Sequence, residues 1–364
     1  MLPYIHVYLF FGEVESLMVY YLIFTAIISY ILIKVIIIYS DKLNLIDVPG
    51  ERSVHTKIRP HGAGIGFVAA ILIGMFFYDS AMLIKHWFLS LSIIMVLVVG
   101  IIDDVWEVQP KTKIIIIMAA ILPLWFNGLG LKTLGVYFSY DLQLGFFELP
   151  FMLIALVGFT NALNLIDGID GLAGMVSFVI IGSFGYIAYQ NLDVLLLMMT
   201  AFSMASLLAF LVLNYHPAKI FMGDSGSLTL GFIIVIIALV SLKHIHPIVV
   251  LYFTALPIFD TLTVIRRRLK HRIHIFQPDK THFHHLLLEY FGDRDENGQK
   301  INGNRRTAWV LTLAQVLFSL VGIWLHTLIT NDNYVALTAL VVLIAVFFII
   351  YELIKKIEAL TRER

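Results

Sequence analysis

Asn161, Asn164, Asp167 and Asp170 recur every third residue in the stretch NALNLIDGIDGLAG, inside a chain otherwise dominated by Ile, Leu, Val and Phe. That spacing sets two amides and two carboxylates roughly on one side of a helix end. Gly168 and Gly171 loosen the end, so backbone can come close to a ligand. A calcium loop does not fit, because it needs carboxylates at alternate positions and a terminal Glu. The stretch reads as one wall of a site for a hard cation and phosphate groups.

Other polar stretches carry compatible chemistry. Asp103 and Asp104 stand at the end of an apolar run, followed by Pro110, Lys111, Thr112 and Lys113. Carboxylates near bilayer depth are costly unless paired, and adjacent ones suit Mg²⁺ with phosphates. One of such a pair can also serve as a base, and a solvated helix cap is the plainer alternative. In NYHPAKIFMGDSGSL, Gly223 and Gly226 flank Asp224 and Ser225. Successive amides at the start of a following helix could cradle phosphate oxygens while Asp224 holds a metal, against the alternative of a turn cap.

His282, His284 and His285 lie close together downstream of Arg266, Arg267, Arg268 and Arg272. The spacing does not match a zinc helix and no thiolate is available, so imidazole and guanidinium donors fit diphosphate oxygens better. The arginines alone would also satisfy the positive-inside rule. Arg52, His55, Lys57, Arg59 and His61 read by themselves as an ordinary basic loop. Asp260, just after Pro257, is expected to pair with a neighbouring arginine.

The elements that position these residues are apolar. Of the 364 residues 60% are hydrophobic and only 14% charged, against about 25% charged in soluble domains. Runs of about 20 apolar residues then mean membrane spans. Eleven are expected, near 17–39, 63–78, 87–102, 114–127, 149–165, 172–190, 193–213, 227–242, 246–265, 308–329 and 334–354. The first has neither a basic n-region nor a cleavage site, so it reads as an uncleaved helix. With the N-terminus outside and the C-terminus cytoplasmic, all Lys and Arg except Lys34, Lys85, Lys132 and Lys243 gather on one side, which marks the cytoplasm. The polar clusters fall on that same side, as the walls of one site would. The longest external connection, 127–150, alternates like a small β-hairpin, placed near 128–148. Net charge is zero, which speaks against a nucleic-acid partner, and the absence of Cys excludes disulfides and thiolate metal sites. The expected architecture is an all-α polytopic membrane protein forming a single integral domain over 1–364.

Taken in order over residues 44–291, these segments resemble the polyprenyl-phosphate N-acetylhexosamine-1-phosphate transferases. That superfamily includes the bacterial enzymes that start O-antigen, enterobacterial common antigen and teichoic acid, as well as phospho-MurNAc-pentapeptide transferase and the eukaryotic dolichol enzyme. The resemblance rests on the Asp103-Asp104 and Pro110–Lys113 segments, NALNLIDGIDGLAG, NYHPAKIFMGDSGSL, PIFDT and HFHHLLL. It implies about ten or eleven transmembrane helices and a cytoplasmic Mg²⁺ site, with Mn²⁺ as a substitute. The implied reaction moves sugar 1-phosphate from a UDP-N-acetylhexosamine to undecaprenyl phosphate, releasing UMP, in a bacterial plasma membrane.

Carried over by position, Asp224 and Asn164 are implied metal ligands, with Asp104 participating and counted with Asp103 as catalytic. Asp103 is implied to deprotonate the lipid phosphate and Lys113 to lie beside it. Phe221 and Asp170 match the nucleoside and sugar side, with Asp167 also counted among the substrate-binding residues, and His282, His284 and His285 match the segment covering the diphosphate. His55 is carried over with a departure, because the loop reads RPHGAG where many relatives have a Pro-Thr-x-Gly-Gly form. HFHH replaces the more usual His-aliphatic-His-His. The RSxH and HxHH segments favour a simple N-acetylated hexosamine, GlcNAc first, with FucNAc and QuiNAc open. Direct attack by the lipid phosphate is favoured over a covalent aspartyl-phosphate, and a homodimer is left open. A cation-coupled transporter and a Mg²⁺-dependent prenyltransferase are the alternatives. The first would put its acids at the midplane, and the second would leave the Gly-Asp-Ser-Gly turn and the histidines unexplained.

Overall fold

The computed structural model describes residues 2–49, 58–271, 282–294, 300–301, 303–328 and 333–362. The first long helix α1 (Leu2–Leu43) leads into a short ribbon of β1 (Ile46–Asp47) with β2 (Arg59–Pro60). Then come α2 (Ala63–Tyr78), α3 (Ser80–Lys85), α4 (Trp87–Trp106) and α5 (Pro110–Phe126), the last opened by a proline whose missing N–H costs nothing at a helix start. The strands β3 (Thr133–Tyr137) and β4 (Tyr140–Gln143) form an antiparallel hairpin, as the alternation in that connection predicts. Next are α6 (Glu148–Ile166), α7 (Leu172–Gln190), α8 (Val194–Asn214), α9 (Asp224–Ser241), α10 (Pro247–Phe253) and α11 (Ala255–His271). The chain finishes with α12 (Phe283–Phe291), the two-residue strands β5 (Asp293–Arg294) and β6 (Lys300–Ile301), α13 (Gly303–Leu328) and α14 (Tyr334–Arg362).

Among the described residues, eight helices are long and apolar enough to cross a membrane, and nine if the bent pair α10–α11 counts as one span. The expected spans at 63–78 and 114–127 fall on α2 and α5, but α2 has only 16 residues and α5 opens on Pro-Lys-Thr-Lys.

Helix α9 is the axis of the bundle. Every residue from Ser225 to Ser241 is buried, because the sequence is apolar or small on all faces, as a helix enclosed by other helices must be. Its neighbours include α2, α4, α6, α7 and α8. Small residues let the backbones approach, the usual packing device between helices in lipid. A Cβ on Gly64 of α2 would lie 2.1 Å from the amide nitrogen of Gly226, and one on Gly100 of α4 would lie 2.5 Å from Cα of Ser225. These contacts bring the N-terminal ends of α2 and α9 and the C-terminal end of α4 to one polar end of the bundle. At the opposite end the hairpin docks on the last helices. Asn333 donates twice to the carbonyl of Val136, and Phe138 stacks on Tyr334.

Between α10 and α11 the path turns by 82°. Such a break frees backbone groups that lipid cannot satisfy. Gln315 of α13, 0% exposed, answers them. Its Nε2 donates to the carbonyl of Phe253 at 2.8 Å and its Oε1 accepts from the amide of Leu256 at 3.1 Å. Replacing Gln315 with Leu strands both groups, each at a cost of about 1–3 kcal/mol. The thermal unfolding midpoint in detergent is therefore expected to fall by several degrees, and an unchanged midpoint would remove Gln315 from this role.

Candidate active site

At the polar end a carboxylate caps the central helix. Asp104 Oδ1 accepts from the amide of Asp224 at 2.7 Å and Oδ2 from the amide of Ser225 at 3.1 Å. These are the first residues of α9, whose amides have no partner within the helix and whose dipole favours a negative charge. The sequence offers a helix cap as the plain alternative for the acidic pair. Asp104 is a cap, but of a helix 120 positions away rather than its own. With both oxygens so engaged, Asp104 stands as the support of the site.

The turn that receives this cap needs glycine. Gly223 has φ +72°, and a Cβ there would stand 2.6 Å from Asp104 Oδ2 and 2.8 Å from the amide nitrogen of Gly62. Residues 221–222 also run along the β2–α2 turn. The amide of Phe221 donates to Pro60, and the carbonyls of Phe221 and Met222 accept from Ala63 and Gly64. His61 adds a bond from Nε2 to the carbonyl of Asp104 at 3.1 Å.

Beside the cap lies an ion-pair bridge. Lys113 Nζ, at the start of α5, is 2.8 Å from Asp103 Oδ2 and 2.8 Å from Asp224 Oδ2. Asp103 Oδ1 accepts from the amide of Val108 at 2.6 Å, which folds the α4–α5 connection back onto the carboxylate. One lysine thus stands between two carboxylates drawn from helices far apart in sequence.

The NALNLIDGIDGLAG segment closes the next side. Helix α6 runs to Ile166 and Asp167 is its C-cap. Asn164 uses its carbonyl for the amide of Asp167, and its side chain makes no hydrogen bond to the described residues. The Asp167 carboxyl is held well above the usual carboxylate range, first by burial and then by the charges of Asp224, Asp104 and Asp170. The expectation that all four polar residues share one helix face needs correction at Asp170. It lies beyond the helix, where Oδ2 accepts from His216 Nδ1 at 2.7 Å and from the amide of Ala218 at 3.1 Å. Asn214 secures the same corner, accepting from the amide of Gly171 and donating to the carbonyl of Ile220, each at 2.9 Å.

The histidine segment reaches this loop. His284 packs so that a Cβ on Gly168 would stand 3.0 Å from its Nε2, and the His285 ring lies 4.3 Å from that of His284. Asp260 is corrected as well. Its oxygens meet His282, Phe283 and His284 instead of pairing with an arginine. The arginine partner of a carboxylate is found elsewhere, with Arg266 at 3.4 Å from Glu352. His55, with Arg52, Lys57 and Arg272, lies outside the described residues.

The structure therefore gathers Asp103, Asp104, Lys113, Asn164, Asp167, Asp224 and His284 at one end of the bundle, with Asp170 and Phe221 along the adjoining loop. Sequence reasoning gave no part to His216 or Asn214. Both lie in the NYHPAK segment, where two side-chain donors flanking a tyrosine before a proline were the available signal.

Fold and site together define a polytopic membrane protein with an acidic, lysine-bridged cluster at one end of its helix bundle. A family profile described as Glycosyl transferase family 4 matches residues 86–242, which hold Asp103, Asp104, Lys113, Asn164 and Asp224. A "Probable undecaprenyl-phosphate N-acetylglucosaminyl 1-phosphate transferase" of Bacillus subtilis (strain 168) is 32% identical over 261 residues, covering 68% of this chain and 71% of that protein. "Undecaprenyl-phosphate alpha-N-acetylglucosaminyl 1-phosphate transferase" of Escherichia coli (strain K12) is 30% identical over 86% of this chain and 84% of its own length. Its counterpart in Yersinia pestis is 29% identical over 84% and 82%. The chain belongs to this glycosyl transferase family, which sets aside the transporter and prenyltransferase alternatives.

Gly223→Ala tests the geometry at the cap. A methyl group cannot fit between Asp104 and Gly62, so the variant is expected to reach the membrane yet lose at least about 10-fold in turnover, of the order that misplacing a catalytic group costs. Full activity would mean that the capped turn is not part of the site.

Proposed function

We propose that the protein transfers N-acetylglucosamine 1-phosphate from UDP-GlcNAc to undecaprenyl phosphate, releasing UMP and forming the first lipid-linked intermediate of a cell-surface polysaccharide. The observation that carries the reading is the Asp103–Lys113–Asp224 bridge at the capped start of α9, in a chain whose relatives bear that activity in their names. Eleven crossings, with the N-terminus outside and the polar end in the cytoplasm, agree with the distribution of Lys and Arg. A site at a membrane face suits a lipid phosphate that must meet a water-soluble sugar nucleotide.

The donor set fits a hard divalent cation. Asp224 and Asn164 would hold Mg²⁺, or Mn²⁺ in its place, and the surplus negative charge around Asp167 supports a cation there. When bound, the ion would neutralise diphosphate charge. The chain's own groups do the rest. Asp103 keeps the lipid phosphate ionised and oriented, and Lys113 offsets its charge. An oxygen of that phosphate attacks the β-phosphorus of the donor. The bond from that phosphorus to the bridging oxygen breaks, and UMP leaves with the oxygen. Positioning and charge stabilisation carry most phosphoryl transfer. Phe221 and Asp170 serve the nucleoside side, Asp170 by ordering the loop at His216. His282, His284 and His285 cover the diphosphate.

An apolar cavity of about 900 Å³ supports a lipid substrate. It runs from Leu131 beside the hairpin, past Ile154, Phe159, Leu251 and Leu262, to Ala162, two residues before Asn164. A polyprenyl chain lying there would bring its phosphate to the polar end.

The test is purified protein with undecaprenyl phosphate, Mg²⁺ and a panel of UDP-sugars, read as UMP release. UDP-GlcNAc is expected to be the best donor, and no UMP with any donor would contradict the reading. Asp224→Ala is expected to lower turnover by about 10²-fold or more, as for a principal metal ligand. If Asp103→Asn kept near-normal turnover while binding both substrates, its role as the base would be wrong. Asp167→Asn removes one of several crowded carboxylates, so it should raise the thermal midpoint in EDTA and shrink the stabilisation gained from added Mg²⁺. A lower midpoint in EDTA would show that Asp167 supports the fold instead.

A further inference from the structure

Asp260 has no task in the reaction as described. It sits on α11, 3% exposed, in the helix whose start is pinned by Gln315. Its Oδ2 lies 3.0 Å from Nδ1 of His282 and 3.2 Å from Nδ1 of His284, while Oδ1 accepts from the amide of Phe283. Both histidines are buried, 4% and 1% exposed. An ionised carboxylate only accepts, so each ring must turn its Nδ1–H to Asp260, and the other nitrogen is then set by that bond. In His284 the other nitrogen, Nε2, is buried and has no hydrogen-bond partner. It faces Gly168, at the edge of the pocket formed by Asn164 and Asp167. A buried ring nitrogen left unpaired is costly, which points to a partner that arrives with the substrate.

We propose that Asp260 is a positioning residue for the transfer: it fixes the tautomer and ring plane of His282 and His284 so that His284 Nε2 is presented to the diphosphate at Gly168. This rests on the reading of the site given above. A phosphate oxygen accepts a hydrogen bond from Nε2 when that nitrogen carries a proton. The same three side chains lie close enough to hold a metal ion. Hydrogen bonding describes them better. The N–O separations are hydrogen-bond lengths, and the His282 and His284 rings stack at 5.3 Å and 27°.

The test compares full-length Asp260→Asn, His284→Ala and the double variant in the UMP-release assay. Each single change is expected to lower kcat by about 10-fold or more with KM for UDP-GlcNAc within about 3-fold, and the double variant to be no worse than the poorer single, since residues acting as a unit are non-additive. Losses that multiply in the double variant would overturn the proposal. ¹⁵N spectra of histidine-labelled wild-type protein give a readout independent of how the variants fold. They should show His284, assigned by its loss in His284→Ala, protonated at Nδ1. Protonation at Nε2 alone would overturn it. So would a stoichiometric metal in the purified wild-type protein that disappears in Asp260→Asn. If wild-type protein released no UMP, the proposed function would fall while the tautomer measurement would still judge the role of Asp260 in setting the ring.

Discussion

The bond of Asp104 to the first two amides of α9 is the constraint on which the rest of this structure depends. A helix enclosed on every side by other helices begins with amides that have no partner within the helix. Here a carboxylate from another helix supplies two acceptors and a charge of the sign the helix dipole favours. The glycines at 64, 100 and 226 then let α2 and α4 press against that same end. Because α9 is buried along its length, it cannot tilt to relieve a misfit. The position of Asp224 is therefore set by packing as much as by its own turn.

From this fixed point the charge pattern follows. Asp224 leaves the cap facing Asp103, and Lys113 enters between them from the start of α5. One lysine among Asp103, Asp104, Asp167 and Asp224 leaves the pocket short of positive charge, which the raised carboxyl of Asp167 registers. The uncommitted amide of Asn164 adds a neutral oxygen. Such a cluster of carboxylates is poised for a cationic ligand.

Much of this could be read from local sequence, because the local signals were strong. Long apolar runs marked the helices, period-two alternation marked the hairpin, and the Asp103-Asp104 pair, the Gly-Asp-Ser-Gly turn and the Asn161–Asp170 spacing marked the polar end. The partners could not be read in the same way. Asp104 caps a helix 120 positions on, and Asp260 meets histidines more than 20 positions later, where charge alone suggested the adjacent arginines. Asp170 keeps the helical spacing on paper, yet the helix has ended before it and the carboxylate turns to His216. Gln315 is one polar residue in an apolar run, and nothing local to it records the break in a different span. In each case the side chain satisfies backbone or charge that belongs to a distant element.

Which bond breaks is the most direct measure of the account. Protein supplied with undecaprenyl phosphate, Mg²⁺ and UDP-GlcNAc labelled with ³²P at the β-phosphorus should move the label into the lipid fraction as a diphosphate-linked sugar, leaving unlabelled UMP. Label retained in UDP, with sugar alone passing to the lipid, would contradict transfer of the sugar phosphate.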